Sequence, residues 1–406
     1  MPWQERCAMD QRRLFVGEYL SGLWTMTQLC EQFAISRKTG YKWLGRYDTG
    51  GRPALADRSR RPHGHPAATS DHIVQRLLET RARFPRWSMG KIVTWLRRRY
   101  PRTSWPCRTT AYDLMHRAGV ARASKRPGPT GRRPSAPTRV LTEPTAANMV
   151  WTTDFKGKFL LGDATYCHPF TLRDGFSRFV LRCDGLLNRT LAATQQRFAR
   201  AFAEHGLPDR IRSDNGSPFA SPGLARLSTL SVWWIRLGIV PERIAPGHPE
   251  QNGSHEQFHR VLKAETTRPP APHCAAQQQR FRRFVREYNE ERPHDALGSQ
   301  PPATRYEASR RPFPRSLPPL EYPGHMEPRR VGTCGTISWA GAPLFIATAL
   351  AGEYVALEEV DDGIWTLHFA TMALARYDER QRALRPIHLA VKPGGAAPAT
   401  LAPRLT

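Results

Sequence analysis

The chain has 406 residues, 40% of them hydrophobic, which is enough for about two to four domains with apolar cores. Its formal charge of +26 exceeds what solubility requires and predicts a polyanionic partner, most commonly nucleic acid. The seven cysteines are odd in number and lack zinc-site spacing, which argues against a disulfide framework or a structural zinc ion. No apolar run approaches the roughly 20 residues that span a bilayer, and the first residues lack an apolar signal core, so we expect a cytoplasmic protein without membrane contact.

The basic charge is concentrated at the N-terminal end. Residues 1–140 contain 28 Lys and Arg against 9 Asp and Glu, whereas residues 141–300 contain 21 against 16 and residues 301–406 contain 12 against 10. We therefore expect the N-terminal region to bind nucleic-acid phosphates, while the middle region keeps its carboxylates for another role.

Residues 1–52 are predicted to form a helix-turn-helix domain of three short helices. Thr27 and Ser36 stand where side chains can cap the second and third helices. Tyr41 and Leu44 are expected to face inward on the third helix. A tight turn before a capped, basic helix is typical of DNA-binding domains, although many three-helix domains do not bind DNA. The candidate DNA contacts are the basic residues of the third helix: Arg37, Lys38, Lys42 and Arg46.

Residues 66–121 repeat this pattern and are predicted to form a second helix-turn-helix-like domain. Its helices are expected at 71–83, 88–99 and 109–118, with Gly119 ending the last one. A run of charge is often a solvated helix face, but the surplus of basic residues in this region favours DNA contacts. The candidates are Arg97 and Arg98.

Residues 122–147 are predicted to form a basic, proline-rich linker. The stretch 121–138 contains five Lys and Arg, four prolines and no acid, so it cannot build an apolar core. Arg132 and Arg133 could enter a DNA minor groove, and a solvated linker is an equally good interpretation.

From residue 148 the pattern changes, and residues 148–310 are predicted to form an α/β core. The stretch NMVWTTDFKGKFLL is expected to be one strand, followed by a hairpin that turns at Asp174 and Gly175. A helix capped by Thr190, two more strands and two more helices complete a mixed sheet flanked by helices. A further basic helix is expected at 278–294.

The last part of the chain alternates short apolar stretches with glycines. That spacing is typical of small β-domains, and residues 325–385 are predicted to form a small all-β barrel. Residues 386–406 are expected to be disordered. The predicted fold class is therefore multidomain, with N-terminal all-α helix-turn-helix domains, a central α/β core and a small C-terminal all-β barrel.

Three acids stand at the ends of predicted core elements. Asp154 lies on the first strand, Asp214 at the end of the fourth, and Glu256 in the first turn of the helix after the fifth. Carboxylates gathered in one place repel one another unless cations are bound, and their hard oxygen atoms suit Mg²⁺ or Mn²⁺. Two such ions, about 3.5–4 Å apart, would suit phosphoryl transfer. On spacing alone, four other acids of this region remain candidates: Asp163, Asp174, Asp184 and Glu250.

Four motifs resemble, in order over residues 148–306, the integrase-type catalytic core of bacterial insertion-sequence DDE transposases: WTTDFKG, RSDNGSPFAS, PGHPEQNGSHEQFHRVLK and YNEERPHDALGSQPPATRY. In this resemblance Asp154 and Asp214 match the two catalytic aspartates of the family. Glu256 matches the catalytic glutamate, whereas Glu250 precedes the Asn-Gly pair and does not match it. The resemblance implies a ribonuclease-H-like fold, two Mg²⁺ ions with Mn²⁺ as a substitute, and strand cleavage and strand transfer on DNA.

The resemblance also implies partners. They are the double-stranded DNA of the element ends and of the target, and further copies of the chain in a homodimer or higher oligomer, because two ends must be joined. A nucleoid-associated location follows. The candidate DNA contacts beside Glu256 are Lys263, Arg260 and His255. A catalytically silent DNA-binding regulator is one alternative, against which the intact acids argue, and a stand-alone ribonuclease H is another, against which the basic N-terminal region argues.

Overall fold

The structure, a computed structural model, describes residues 7–58, 68–120, 141–155, 157–221, 224–245 and 248–387. They belong to two compact units, residues 1–70 and residues 71–406. Arg132, Arg133 and most of the predicted linker and tail lie outside the described residues. None of the helices in the described ranges is long and apolar enough to cross a membrane.

The first unit contains helices α1 (Ala8–Leu20), α2 (Met26–Gln32) and α3 (Arg37–Gly50). The predicted cap Ser36 is confirmed, because its side chain accepts a hydrogen bond from the backbone of Thr39. The predicted cap Thr27 is wrong. Thr25 caps α2 instead, because Gln28 lies three residues later and the two side chains satisfy each other's backbone N–H groups.

The inward face of α3 also differs from the prediction. Leu44 is buried as expected, but Tyr41 is 58% exposed. Trp43 takes the inward position, and Gly40 lies against the side chains of α2. The face of a helix turns by about 100° per residue, so an error of two positions reverses a side chain.

The second unit begins with helices α4 (Asp71–Arg83), α5 (Met89–Arg99) and α6 (Arg108–Arg117). Their bounds agree closely with the prediction, Ser88 caps α5, and Gly119 ends α6 with a φ of +72°. The three helices enclose an apolar cluster that includes Leu77, Trp87 and Leu96.

The central sheet follows, with strands β1 (Val150–Phe155), β2 (Phe159–Leu160), β3 (Tyr166–Asp174), β4 (Val180–Leu186), β5 (Arg210–Ser213) and β6 (Val240–Arg243). Their order is β2-β3-β1-β5-β6, with β4 also paired to β3. The pairs of β3 with β1 and β4 are antiparallel, whereas β1, β5 and β6 are parallel. The hairpin turn after Asp174 is confirmed, but the predicted first strand is two strands, β1 and β2.

Helices cover both faces of this sheet. They are α7 (Leu191–His205), α8 (Thr229–Arg236), α9 (Gly253–Thr266) and α10 (Cys274–Arg286), which continues as a π-helix over Glu287–Glu291. Helices α7 and α8 share one apolar cluster with the sheet, and α9 and α10 share another. The predicted mixed α/β layers are therefore present. Helix α10 starts before residue 278 because His273 caps it.

The C-terminal strands are β7 (Glu327–Arg330), β8 (Thr336–Trp339), β9 (Ala342–Phe345), β10 (Tyr354–Asp361), β11 (Ile364–Phe369), β12 (Met372–Asp378) and β13 (Ala383–Pro386). Five form an antiparallel sheet in the order β13-β12-β11-β10-β7, and β8 and β9 form a separate hairpin.

A closed barrel is not confirmed for this region. The apolar face of the five-stranded sheet, which includes Leu357 and Leu367, packs against Trp339 of the hairpin and against Val232 and Ile235 of α8. The hairpin and the core helix thus bury the face that closure of a barrel would otherwise bury. Strand spacing in the sequence could not predict this cover, because α8 lies about a hundred residues earlier in the chain.

Candidate active site

Asp154 and Asp214 lie at the carboxyl ends of neighbouring parallel strands. In the pairing of β1 with β5, the last paired residues are Thr152 and Arg212. Asp154 stands two residues further along β1, and Asp214 stands two residues beyond Arg212, just after β5 ends at Ser213. Neighbouring strands lie about 4.8 Å apart. Two of the three candidate acids therefore follow the last paired residues of β1 and β5 by the same number of residues, at the same edge of the sheet.

Helix α9 brings Glu256 to this edge. The ring of His255, one residue earlier, lies 3.0 Å from the hydroxyl of Thr152 on β1. The ring of His259, three residues later, lies 3.5 Å from the carboxylate of Asp154. Asp154 and Glu256 line one open cavity of about 650 Å³, and the Glu256 side chain is exposed to it.

Two buried histidines fix α9 against the sheet. The Thr171 hydroxyl lies 2.7 Å from Nε2 of both His255 and His259 and donates to the backbone oxygen of Asp154 at 2.9 Å. A threonine hydroxyl has one proton to donate, so both rings must donate their Nε2–H to it. Burial, and then the neighbouring His259 and Arg173, hold the pKa of His255 well below its usual value, so its ring is neutral.

This network corrects one candidate. His255 was expected to contact DNA, but its side chain is fully buried and hydrogen-bonded to the sheet. That prediction is wrong because the burial of His255 depends on contacts of α9 with the sheet, which the sequence of the helix alone does not reveal. His259, also close to Glu256 in the sequence, is buried as well.

Asp214 is near the other acids in backbone position, but its carboxylate faces its own loop. Oδ1 accepts a hydrogen bond from the backbone N–H of Gly216 at 3.1 Å. Throughout the described ranges, no three His, Cys, Asp or Glu side chains form a group that could hold a metal ion. The three carboxylates are thus not gathered into one group in this conformation. A rotation of the Asp214 side chain would be needed to join them.

The competing acids of this region have structural partners. Asp163 accepts hydrogen bonds from the backbone and hydroxyl of Thr165 in a surface turn. Asp174 is buried in the hairpin turn, where it accepts from Ser177. Asp184 pairs with Arg182 and Arg197. The side chain of Glu250 lies outside the described residues.

Basic side chains surround the acids. The predicted DNA contacts Arg260 and Lys263 line the same cavity as Asp154 and Glu256. The sequence reading missed two further cations there, Arg86 and Arg268. Arg268 lies just beyond α9 and could have been found by its proximity to Lys263. Arg86 could not, because it belongs to the loop between α4 and α5.

The remaining candidate DNA contacts lie on two helical sets. The first set consists of α1, α2 and α3, and the second consists of α4, α5 and α6. Arg37, Lys38 and Lys42 are exposed on α3, and Arg46 is partly exposed. Arg97 and Arg98 are exposed at the end of α5, where Arg98 also donates to the backbone oxygen of Glu291 at 3.4 Å.

Family models match three parts of the chain. Residues 237–302 match an integrase core domain, residues 11–63 a helix-turn-helix domain and residues 39–115 a homeodomain-like domain. The first match covers β6, the α9 segment with Glu256 and α10, and the others cover the helical sets. The chain is thus similar to an integrase core domain over the segment that contains Glu256 and to helix-turn-helix domains over its N-terminal helices.

One curated relative makes the resemblance more specific. The chain is 29% identical over 202 residues to the insertion element IS407 uncharacterized 31.7 kDa protein of Burkholderia multivorans. This match covers 47% of the chain and 66% of the relative, just under two thirds of its length. Together with the family models, it confirms the resemblance to insertion-sequence transposases with an integrase-type core.

Solved structures of retroviral integrases are also similar. The HTLV-2 integrase catalytic core domain in complex with magnesium is 15% identical, with a TM-score of 0.33, and the match covers 41% of this chain and 100% of that one. The simian T-cell lymphotropic virus intasome in complex with the PP2A regulatory subunit B56 gamma is 17% identical, with a TM-score of 0.36, and covers 71% and 93%.

Proposed function

We propose that the chain is a DDE transposase that binds the ends of a mobile DNA element and catalyses strand cleavage and strand transfer. The observation that carries this proposal is that Asp154 and Glu256 line one cavity, and that the pairing of β1 with β5 ends two residues before Asp154 and Asp214. The integrase core match and the insertion-element relative support it.

The donor set fits divalent metal ions. Asp154, Asp214 and Glu256 provide carboxylate oxygens, which Mg²⁺ and Mn²⁺ prefer, and two such ions would need Asp214 to turn toward Asp154. When bound, the ions supply positive charge that lowers the pKa of an attacking hydroxyl and stabilises the leaving oxygen.

The chain's own residues hold the substrate in this scheme. Arg260 and Lys263 bind phosphates on either side of the reacting one, because both line the cavity and offer charge-assisted hydrogen bonds. Water attacks phosphorus in the first step and breaks the bond to the 3′-oxygen. The released 3′-hydroxyl then attacks a phosphorus of the target strand, forms a new phosphodiester bond and breaks the bond to the target's 3′-oxygen, which leaves as a 3′-hydroxyl after it takes up a proton. The helix-turn-helix sets bind duplex DNA, and two or more copies assemble to hold both ends.

Cutting of a labelled duplex that contains the DNA flanking the coding sequence tests the proposal. Asp154→Asn should abolish cutting and leave DNA binding intact, since the amide keeps the side-chain volume and loses the charge. Glu256→Gln should do the same, whereas Glu250→Gln should cut like the wild type. Mn²⁺ should support cutting, and Ca²⁺ should permit binding with little turnover.

The outcomes separate the alternatives. A wild-type chain that binds the duplex without cutting it, in Mg²⁺ and in Mn²⁺, would indicate the silent regulator. Loss of cutting in Glu250→Gln and not in Glu256→Gln would show that the third carboxylate is wrongly placed. Normal cutting by both Asp154→Asn and Glu256→Gln would locate the chemistry elsewhere.

A further inference from the structure

The loop between α4 and α5 joins the second helical set to the candidate active site. Arg86, at the centre of this loop, lines the cavity that also contains Asp154 and Glu256. It lies 68 residues before Asp154 in the chain. A residue of the second helical set is therefore part of the wall of the catalytic cavity.

The core anchors this loop on both sides of Arg86. Trp87 is 2% exposed, and its indole N–H donates to Glu287 at 3.0 Å. Arg83 donates through Nη2 to both carboxylate oxygens of Glu291, at 2.7 and 2.8 Å. The two acceptors belong to the π-helix that follows α10. Because each anchor is a hydrogen-bonded side chain, the loop has a defined position over the core.

Packing within the helical set makes the loop stiffer. The rings of Phe84 and Trp87 are stacked, with centroids 4.0 Å apart and planes 9° apart. Phe84 is also buried, at 2% exposure. The buried residues Phe84 and Trp87 leave Pro85 and Arg86 between them as the exposed part of the loop.

Arg86 differs from its neighbour Arg83 in its surroundings. Arg83 is held by a carboxylate, whereas Arg86 is exposed and forms no ion pair within the described parts of the chain. Four cations line the cavity against two carboxylates: Arg86, Arg260, Lys263 and Arg268 against Asp154 and Glu256. Such an excess of positive charge in a cavity attracts a polyanion.

We infer that Arg86 binds a phosphate of the DNA strand that occupies the catalytic cavity. The second helical set then has two roles, since it contributes a substrate contact to the catalytic cavity besides any contact with duplex DNA. Trp87, Glu287 and Glu291 are positioning residues, because they hold the loop and do not line the cavity. This inference rests on the proposed function, and it adds a substrate contact from outside the integrase-type core.

The test uses the full chain and a labelled duplex that contains the DNA flanking the coding sequence. Arg86→Ala should slow cutting in Mg²⁺ by about tenfold or more, as expected for the loss of a charged hydrogen bond. Arg86→Lys should retain most of the rate, because it keeps the charge. The matched control is Arg102→Ala, since Arg102 is exposed in the loop between α5 and α6 of the same helical set and does not line the cavity. It should cut at the wild-type rate.

Binding gives an independent measurement. In Ca²⁺, the slope of log affinity against log salt should decrease by about one for Arg86→Ala, because one phosphate contact is lost. The slope should be unchanged for Arg86→Lys. Circular dichroism and the Tm should be the same for all variants, since neither arginine is buried.

Three results would overturn the inference. They are wild-type cutting by Arg86→Ala, an equal loss in Arg102→Ala, and an unchanged salt slope for Arg86→Ala. Asp154→Asn distinguishes this failure from failure of the proposed function. If the wild type and Asp154→Asn cut alike, or neither cuts, the proposed function fails, and the salt slope alone then decides whether Arg86 contacts DNA.

Discussion

The two helical sets have the same plan and different neighbours. Each consists of three short helices around a cluster that contains tryptophan. In the first set, Trp43 is surrounded by cations of its own set, with Arg12 3.8 Å from the ring centroid and Lys42 and Arg46 each at 4.7 Å. These are local cation–π contacts, which hold side chains of one set together.

In the second set, the buried Trp87 contacts the central α/β domain. Trp87 donates to Glu287, and the Arg292 guanidinium lies 5.6 Å from its ring centroid. Trp43 thus contributes to packing within the first set, whereas Trp87 attaches the second set to the central α/β domain. The attachment of the second set uses two acids about 200 residues further along the chain, Glu287 and Glu291.

The largest expected effect is DNA binding by the first set without the second. Residues 1–70 form a compact unit of their own, so the fragment should fold and bind duplex DNA. If all four basic residues of α3 contact phosphates, log affinity should fall with log salt with a slope of about −3 to −4. Fluorescence anisotropy of a labelled duplex over a series of salt concentrations measures this slope. A folded fragment that does not bind at low salt would show that the first set is not a DNA-binding domain.

A smaller effect concerns the packing of the first set. A methyl group at Gly40 would lie 2.8 Å from the sulfur of Met26 and 2.9 Å from that of Cys30. Gly40→Ala should therefore reduce the free energy of unfolding of fragment 1–70 by about 1–3 kcal/mol. The control in the same helix is Gly45→Ala, which meets nothing within 4 Å and should stabilise the fragment by up to about 1 kcal/mol. Chemical denaturation measures both values, and equal effects would contradict the described packing.

The smallest effect concerns the attachment of the second set. Burial, and then repulsion from Glu265, raise the pKa of Glu287 to about 7, against opposing contributions from Arg292 and Trp87. Because the folded pKa is above the unfolded one, the contribution of this group to stability is complete at low pH. It is lost as the pH rises through about 7.

The Tm of the full chain should therefore contain a component that falls by a few degrees between about pH 5 and pH 8. Glu287→Gln should remove that component, because a neutral amide does not ionise. Glu290→Gln is the control, since Glu290 is exposed on the same π-helix. An identical pH dependence in the wild type and in Glu287→Gln would rule out this role for the carboxyl group.

Local signals in the sequence predicted most elements. Ser36 was found as a cap because a cap depends on residues within one turn. The end of α6 at Gly119 and the hairpin at Asp174 follow from equally short patterns. The motif resemblance named the acids at the sheet edge, and the structure adds the pairing of β1 with β5, which ends two residues before Asp154 and Asp214.

What the sequence did not predict depends on distant parts of the chain. His255 stands on a helix whose burial is set by Thr152 and Thr171 of the sheet. Arg86 reaches the cavity through anchors on the π-helix. The C-terminal sheet is covered by α8 instead of closing on itself. None of these contacts leaves a pattern in the neighbouring sequence.

The most direct test of the account is divalent-ion binding at the sheet edge. Free Mn²⁺ can be followed by electron paramagnetic resonance while the full chain is titrated. The wild type should bind Mn²⁺, and Asp154→Asn and Asp214→Asn should each lose most of this binding, since each removes a charged oxygen ligand. Asp163→Asn should bind like the wild type, because Asp163 lies in a surface turn. Mn²⁺ binding that is unchanged in both Asp154→Asn and Asp214→Asn would contradict the proposed metal site.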